Sequence, residues 1–155
     1  MKKIGMILTS LAMVFIFAGV SLAAGSNTLT VQANVAGTCK FSSATSLLDF
    51  LTLDPSVGSN VTVTATTQFW CTKGVTTDVI TANNGVNFSG GSKNMKHATL
   101  ADLIPYTLTL TPDGAANNGP ASPRTLTLSG TVLGVNYAGV SAGTYSDTVT
   151  LSINP

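Results

Sequence analysis

Apolar and polar residues alternate along much of this chain, and the pattern begins clearly at 29–35. Leu29, Val31, Ala33 and Val35 share one face, while polar residues occupy the other. A period of two predicts a half-buried β-strand. No Asn-Gly or Asp-Gly turn joins this stretch to a second alternating run. Its partner is therefore expected to be remote, either in the same chain or in another chain.

Similar apolar runs recur towards the C-terminus, separated by turn residues. Pro105 cannot donate a backbone hydrogen bond, so we expect an edge or a bulge there. No helix is predicted beyond a turn near 98–103. Strands separated by frequent Gly, Pro and Asn predict an all-β sandwich of about seven strands. The predicted strands after the first are 47–53, 61–71, 75–82, 86–88, 103–110, 124–132 and 145–153.

The last predicted strand has five residues on one face: Tyr145, Asp147, Val149, Leu151 and Ile153. An immunoglobulin-like sandwich needs one more strand beside it to cover the last groove. Two residues follow it, so we expect an incomplete sandwich with its spare strand at the N-terminal end.

The N-terminus resembles an export signal. Lys2 and Lys3 precede an apolar run that ends in small residues at Ser21 and Ala23. This order predicts a secretory signal peptide cleaved after Ala23. A membrane anchor is the alternative because the run is nearly long enough to span a bilayer. We favour cleavage because polar residues interrupt the run. The predicted organisation is a signal peptide at 1–23, an N-terminal strand at 24–37 and a sandwich domain at 38–155.

Charge and cysteine content narrow the possible functions. After cleavage, five basic and six acidic side chains leave a net charge of −1. Without a basic patch, nucleic acid is not an expected partner. Two cysteines in an exported chain predict one disulfide, Cys39–Cys71. This disulfide would stabilise the fold by about 3–4 kcal/mol in the chain-entropy description.

The chain offers little material for catalysis. It contains no glutamate and only one histidine, His97, which is expected to be solvated in a polar loop. Asp147 has no second carboxylate placed to work with it, so a structural role is favoured. Two cysteines and one histidine also provide few metal ligands. We predict no enzyme activity, no catalytic or metal residues and no cofactor.

Four segments resemble the spore coat protein U domain family, which includes the major pilins of archaic chaperone–usher pili. The chain is similar to that family over its whole mature length, and the close at 143–151 is the most specific match. The loop at 112–123 lacks a tryptophan that many members carry, and the terminal residues also differ. The matching segments are 28–39, 48–55, 61–71 and 143–151.

The resemblance implies a structural pilus subunit that polymerises by donor-strand complementation and supports adhesion and biofilm formation. Leu29, Val31, Ala33 and Val35 would fill pockets in a neighbouring subunit, and 145–153 would form one edge of the groove. The implied partners are other pilin subunits, a periplasmic chaperone and an outer-membrane usher. The chain would travel through the periplasm to the cell surface. Alternatives are a self-contained coat protein, with 29–35 as its own edge strand, and a tip adhesin.

Overall fold

The computed structural model describes residues 24–76 and 78–155. The predicted signal peptide, 1–23, lies outside the described residues. The chain divides after Ala33 into two units. In the first, residues 24–33 form no helix or strand and are exposed. Within the described part of the chain, no helix is long and apolar enough to cross a membrane.

The second unit contains eight β-strands and one short 3₁₀ turn at Gly134–Asn136. This confirms the all-β class. The strands are β1 (Cys39–Phe41), β2 (Val61–Cys71), β3 (Val79–Ala82), β4 (Lys93–His97), β5 (Leu103–Pro112), β6 (Arg124–Val132), β7 (Tyr145–Ser146) and β8 (Leu151–Asn154).

Six strands form one antiparallel sheet in the order β1-β2-β6-β5-β4-β7. Its centre is long and regular because β2 and β6 pair from Val61 opposite Val132 to Phe69 opposite Arg124. Threonines alternate with apolar residues in both strands, as expected where one face is buried. β3 and β8 form a separate two-stranded sheet.

The core lies between the long sheet and this smaller second layer. Phe69 and Leu126 are fully buried on the long sheet, and Leu151 and Ile153 of β8 pack against their cluster. The segment 46–53 also packs onto the long sheet, in the same layer as β8. A Cβ added to Gly130 of β6 would meet Leu48 and Phe50. The fold is therefore an incomplete β-sandwich, as predicted.

Three predicted strands are shorter or absent. Residues 47–53 form no strand, because no neighbouring strand pairs with them in the described part of the chain. Residues 86–88 form no strand, and among the described residues of the predicted strand 75–82 only Val79–Ala82 is regular. Burial of a face creates the alternating pattern, but a strand also needs hydrogen-bond partners along its edges.

The predicted strand 145–153 is also divided. β7 pairs with β4 in the long sheet, whereas β8 pairs with β3 in the second layer. Residues 147–150 cross between the two sheets without strand structure. Every second residue from Tyr145 to Ile153 is partly buried, so the alternation of buried and exposed side chains continues from one sheet to the other.

Pro105 lies in β5 opposite Asn94 of β4, but the pairing of β5 with β6 starts only at Thr107. The Pro105 carbonyl accepts a hydrogen bond from the side chain of Asn136. The ring nitrogen therefore faces the same unpaired side of β5, which agrees with the expected edge position.

A candidate strand-accepting groove

An open groove of about 1050 Å³ divides the second layer. We call it the acceptor groove. One wall is the segment 43–55 and the other is the segment 140–151. Its floor belongs to the core and carries mainly apolar side chains: Met95, Ile104, Tyr106, Leu108, Leu128 and Tyr137.

The first wall combines buried and exposed apolar residues. Phe50 is 7% exposed and packs against the core with Leu48. Leu47 and Leu51 are 76% and 82% exposed. This wall has side chains anchored in the core but a backbone without a strand partner, which is the state of an unprotected sheet edge.

The second wall also presents an open backbone edge. The Thr150 carbonyl accepts a bond from the Asn83 N–H at 3.0 Å, so Thr150 is bonded towards the β3 side. Backbone groups of successive residues point to opposite edges of a strand. The groups of Val149, Leu151 and Ile153 therefore point away from β3, and Val149 and Leu151 line the acceptor groove. Their side chains pack against the core.

Asp147 fixes the point where this wall leaves the long sheet. One carboxylate oxygen accepts the backbone N–H groups of Val86 and Asn87, both at 3.1 Å. The other accepts the Tyr106 hydroxyl at 2.7 Å. Burial raises the pKa of Tyr106 above its ordinary value, and the bond to Asp147 raises it further. The tyrosine therefore stays a neutral donor. Asp147 orients the chain here, whereas nothing in the sequence indicated Tyr106.

His97 holds the second wall in place through contacts with three of its residues. It is 8% exposed, so the expectation of a solvated histidine is wrong. Its Nδ1 accepts the Leu100 N–H at 3.0 Å, which leaves Nε2 to donate to the Ala142 carbonyl at 3.3 Å. The ring meets Tyr145 edge-on at 5.0 Å. Any Cβ at Gly143 would collide with the ring, so glycine at this position permits the packing.

A second polar cluster surrounds Arg124 and does not line the acceptor groove. Arg124 is 7% exposed and lies 4.9 Å from the centre of the Phe69 ring. Its guanidinium donates to Asp78 and Asp113 at 3.0 Å each, and to Asn117 at 3.1 Å. Burial of a charge requires such partners. Sequence reasoning missed this cluster because its members are far apart along the chain.

The two cysteines are directly opposite each other in β1 and β2 and form a disulfide. Cys71 is fully buried beside Phe69 and Leu126. The Thr38 N–H also bonds to the Thr72 hydroxyl at 3.0 Å. The start of the sandwich is therefore fixed covalently and by a hydrogen bond to the end of its longest strand.

The four predicted pocket residues of the N-terminal strand are exposed. Leu29, Val31 and Val35 have exposed fractions of 82%, 82% and 80%, and Ala33 is exposed as well. Residues 24–38 have no regular secondary structure. Their role in another copy of the chain remains a prediction.

The family model of the Spore Coat Protein U domain matches residues 26–152. The chain belongs to that family. No curated protein matches the chain. Among solved structures, a match comes from the crystal structure of the CsuC–CsuE chaperone–tip adhesion subunit pre-assembly complex from archaic chaperone–usher Csu pili of Acinetobacter baumannii. The sequences are 17% identical and the TM-score is 0.49, over 77% of this chain and 40% of that chain.

Two segments that carried the resemblance have clear structural roles in this Spore Coat Protein U domain. Residues 48–50 place Leu48 and Phe50 in the core and so fix the first wall of the acceptor groove. Residues 143–147 fix the second wall through the contacts of Gly143, Tyr145 and Asp147 described above. The motifs therefore shape both sides of one groove.

Proposed function

We propose that this Spore Coat Protein U domain is a structural pilus subunit that polymerises by donor-strand complementation. The N-terminal strand, 24–37, of one copy occupies the acceptor groove of the next. The observation that carries this proposal is the open groove between 43–55 and 140–151, which has an apolar floor. An extended segment entering such a groove gains main-chain hydrogen bonds, and its alternate side chains fill pockets.

The N-terminal strand has a suitable pattern for this role. Leu29, Val31, Ala33 and Val35 form a continuous apolar face, and their side chains are exposed in the subunit. Burying one Leu and two Val at about 1.5–3 kcal/mol each, with less from Ala, gives roughly 5–10 kcal/mol before ordering costs. This burial would favour assembly and would offset part of the cost of ordering the strand.

Head-to-tail donation builds an open fibre, because each copy gives one strand and receives another. Until a strand arrives, the exposed edges of the groove are prone to unwanted pairing. A periplasmic chaperone would protect them, and an outer-membrane usher would exchange it for the next subunit. In this proposal the chain is exported to the cell surface, has a structural rather than an enzymatic role, and supports adhesion and biofilm formation.

The test is a pair of charge substitutions, Val31→Asp and Val35→Asp, in the native host. Both place a charge in an apolar pocket, so SDS-resistant ladders on unboiled gels and surface fibres should be lost while the subunit is still exported. Gln32→Asp is the matched control, because Gln32 lies on the opposite face of the strand. It should leave ladders and fibres intact.

Unchanged ladders in both valine variants would contradict strand donation between copies. A discrete monomer that both substitutions destabilise would instead indicate a self-contained coat protein, in which 29–35 completes its own sandwich.

A further inference from the structure

The first wall of the acceptor groove changes its inward face at Leu51. Leu48 and Phe50 point into the core, as alternate residues of a strand do. The next side chain packed against the core is Leu53, three positions after Phe50. Leu51 has a φ of 56°, and no other non-glycine residue in 24–76 or 78–155 has a positive φ. The backbone therefore slips by one residue at Leu51, as in a β-bulge.

Two contacts hold this kink in place. The Leu51 N–H donates to the Asp49 carboxylate at 2.8 Å. Leu53 packs against the buried cluster that includes Phe50 and Tyr137. A left-handed conformation is sterically unfavourable for leucine. A straight strand would remove this strain but would turn Leu53 outwards and Thr52 inwards. Burial of Leu53 therefore favours the kink.

The kink matters for the position of an incoming strand. The face formed by Leu29, Val31, Ala33 and Val35 stays apolar if the strand slides by two residues, so alternation alone does not fix its register. A bulge interrupts the regular hydrogen-bond ladder. An uninterrupted hydrogen-bond ladder that runs along 46–50 therefore ends at Leu51.

Building on the proposed function, we infer that the Asp49–Leu51 turn is a register stop. It ends the pairing edge of the first wall at Phe50 and so determines how far a donor strand extends along this side. The second wall has its own open edge at 149–153 and is not limited by the stop.

Amide hydrogen exchange at single-residue resolution tests this inference on the full mature chain, compared as a monomer and as assembled fibres. On assembly, amides facing the groove within 46–50 and 149–153 should exchange at least tenfold more slowly. Amides at 51–53 should keep their monomer rates. A slowing at 51–53 equal to that at 46–50 would overturn the register stop, since it would show that the wall straightens.

Two variants at the exposed Leu51 give a matched comparison. Leu51→Gly accepts a positive φ without strain, so the protection pattern should be unchanged. Leu51→Val strongly disfavours that conformation, so protection should extend to 51–53. Asp49→Ala should act in the same direction as Leu51→Val, whereas Asp49→Asn keeps a side-chain acceptor and should behave as the parent chain.

Identical protection patterns in the parent, Leu51→Val and Asp49→Ala fibres would overturn the register stop and leave strand donation intact. Fibres in which neither 46–50 nor 149–153 becomes protected would overturn the proposed function itself, and the register stop with it.

Discussion

The two layers of the sandwich use the same alternating sequence pattern but reach different states. β6 is long and regular because it pairs with β2 on one side and β5 on the other, and β2 follows it because the two strands pair throughout 61–69. Residues 46–53 also alternate and also anchor side chains in the core, yet they form no strand and bend at Leu51. Burial of one face places a segment in a layer, whereas hydrogen-bond partners along the edges give it strand structure.

The two layers also differ in how their backbone groups are hydrogen-bonded. In the long sheet, the central strand β6 bonds to strands of the same chain along both its edges. In the second layer, the acceptor groove leaves backbone edges open along 46–50 and 149–153. The long sheet should therefore provide most of the stability of the monomer. The second layer should change most when a partner strand binds.

Truncating one buried phenylalanine in each layer gives the largest expected effect. Phe69→Ala should lower the free energy of unfolding of the monomer by about 3–5 kcal/mol, because Phe69 is fully enclosed. Phe50→Ala should cost less, because Phe50 borders the open groove and its surroundings can collapse. Urea unfolding of the mature monomer measures both values. Equal losses would contradict the proposed difference between the layers.

Adding one methyl group where the layers meet should have a smaller effect. In Gly130→Ala, the new Cβ lies 2.6 Å from a Leu48 methyl and 2.8 Å from the end of the Phe50 ring. These side chains can shift towards the groove, so we expect a loss of about 1–2 kcal/mol, at the low end for overpacking. Thermal unfolding at matched concentration measures the loss.

Gly134→Ala is the comparison variant for that substitution. There the new Cβ would collide with the backbone carbonyl of Gly58, which cannot move as a side chain can. It should destabilise more than Gly130→Ala. The reverse order would show that the side chains over Gly130 are held as rigidly as backbone.

The smallest expected effect concerns acid stability of the long sheet. The pKa of the Asp113 carboxyl is lowered below its usual value, mainly because the carboxylate accepts a hydrogen bond from the Thr125 N–H. Smaller contributions from Arg124 act in the same direction. Its stabilisation is complete above the ordinary aspartate pKa of about 3.9 and is lost as the pH falls through the lower folded-state pKa. Urea midpoints from pH 5 to 2 should fall less steeply in Asp113→Asn. Parallel curves would exclude a contribution from Asp113.

Sequence reasoning predicted the fold class and the disulfide from two simple features, the alternation within single strands and the number of cysteines. Alternation identifies β2 and β6, and two cysteines leave one possible pairing. The kink at Leu51 was not predictable in this way, because it depends on which side of the segment lacks a neighbour.

Contacts between distant segments were also missed. Burial of His97 depends on Gly143, which lies on another strand connection. Asp78 and Asp113 approach Arg124 only after the chain folds. Such clusters have no periodic signal, since each member looks like an ordinary polar loop residue.

The disulfide between Cys39 and Cys71 would have a mechanical consequence in the proposed fibre, where N-terminal strands join the subunits. A pull on the N-terminal segment arrives at Thr38, next to a three-residue strand that would peel away easily. The covalent bond passes the load to the end of β2, whose eleven residues pair with β6 along most of their length. The load is then shared by the nine residue pairs between β2 and β6. In the proposed fibre, the crosslink would therefore protect against tension at the point where each subunit is joined to the next.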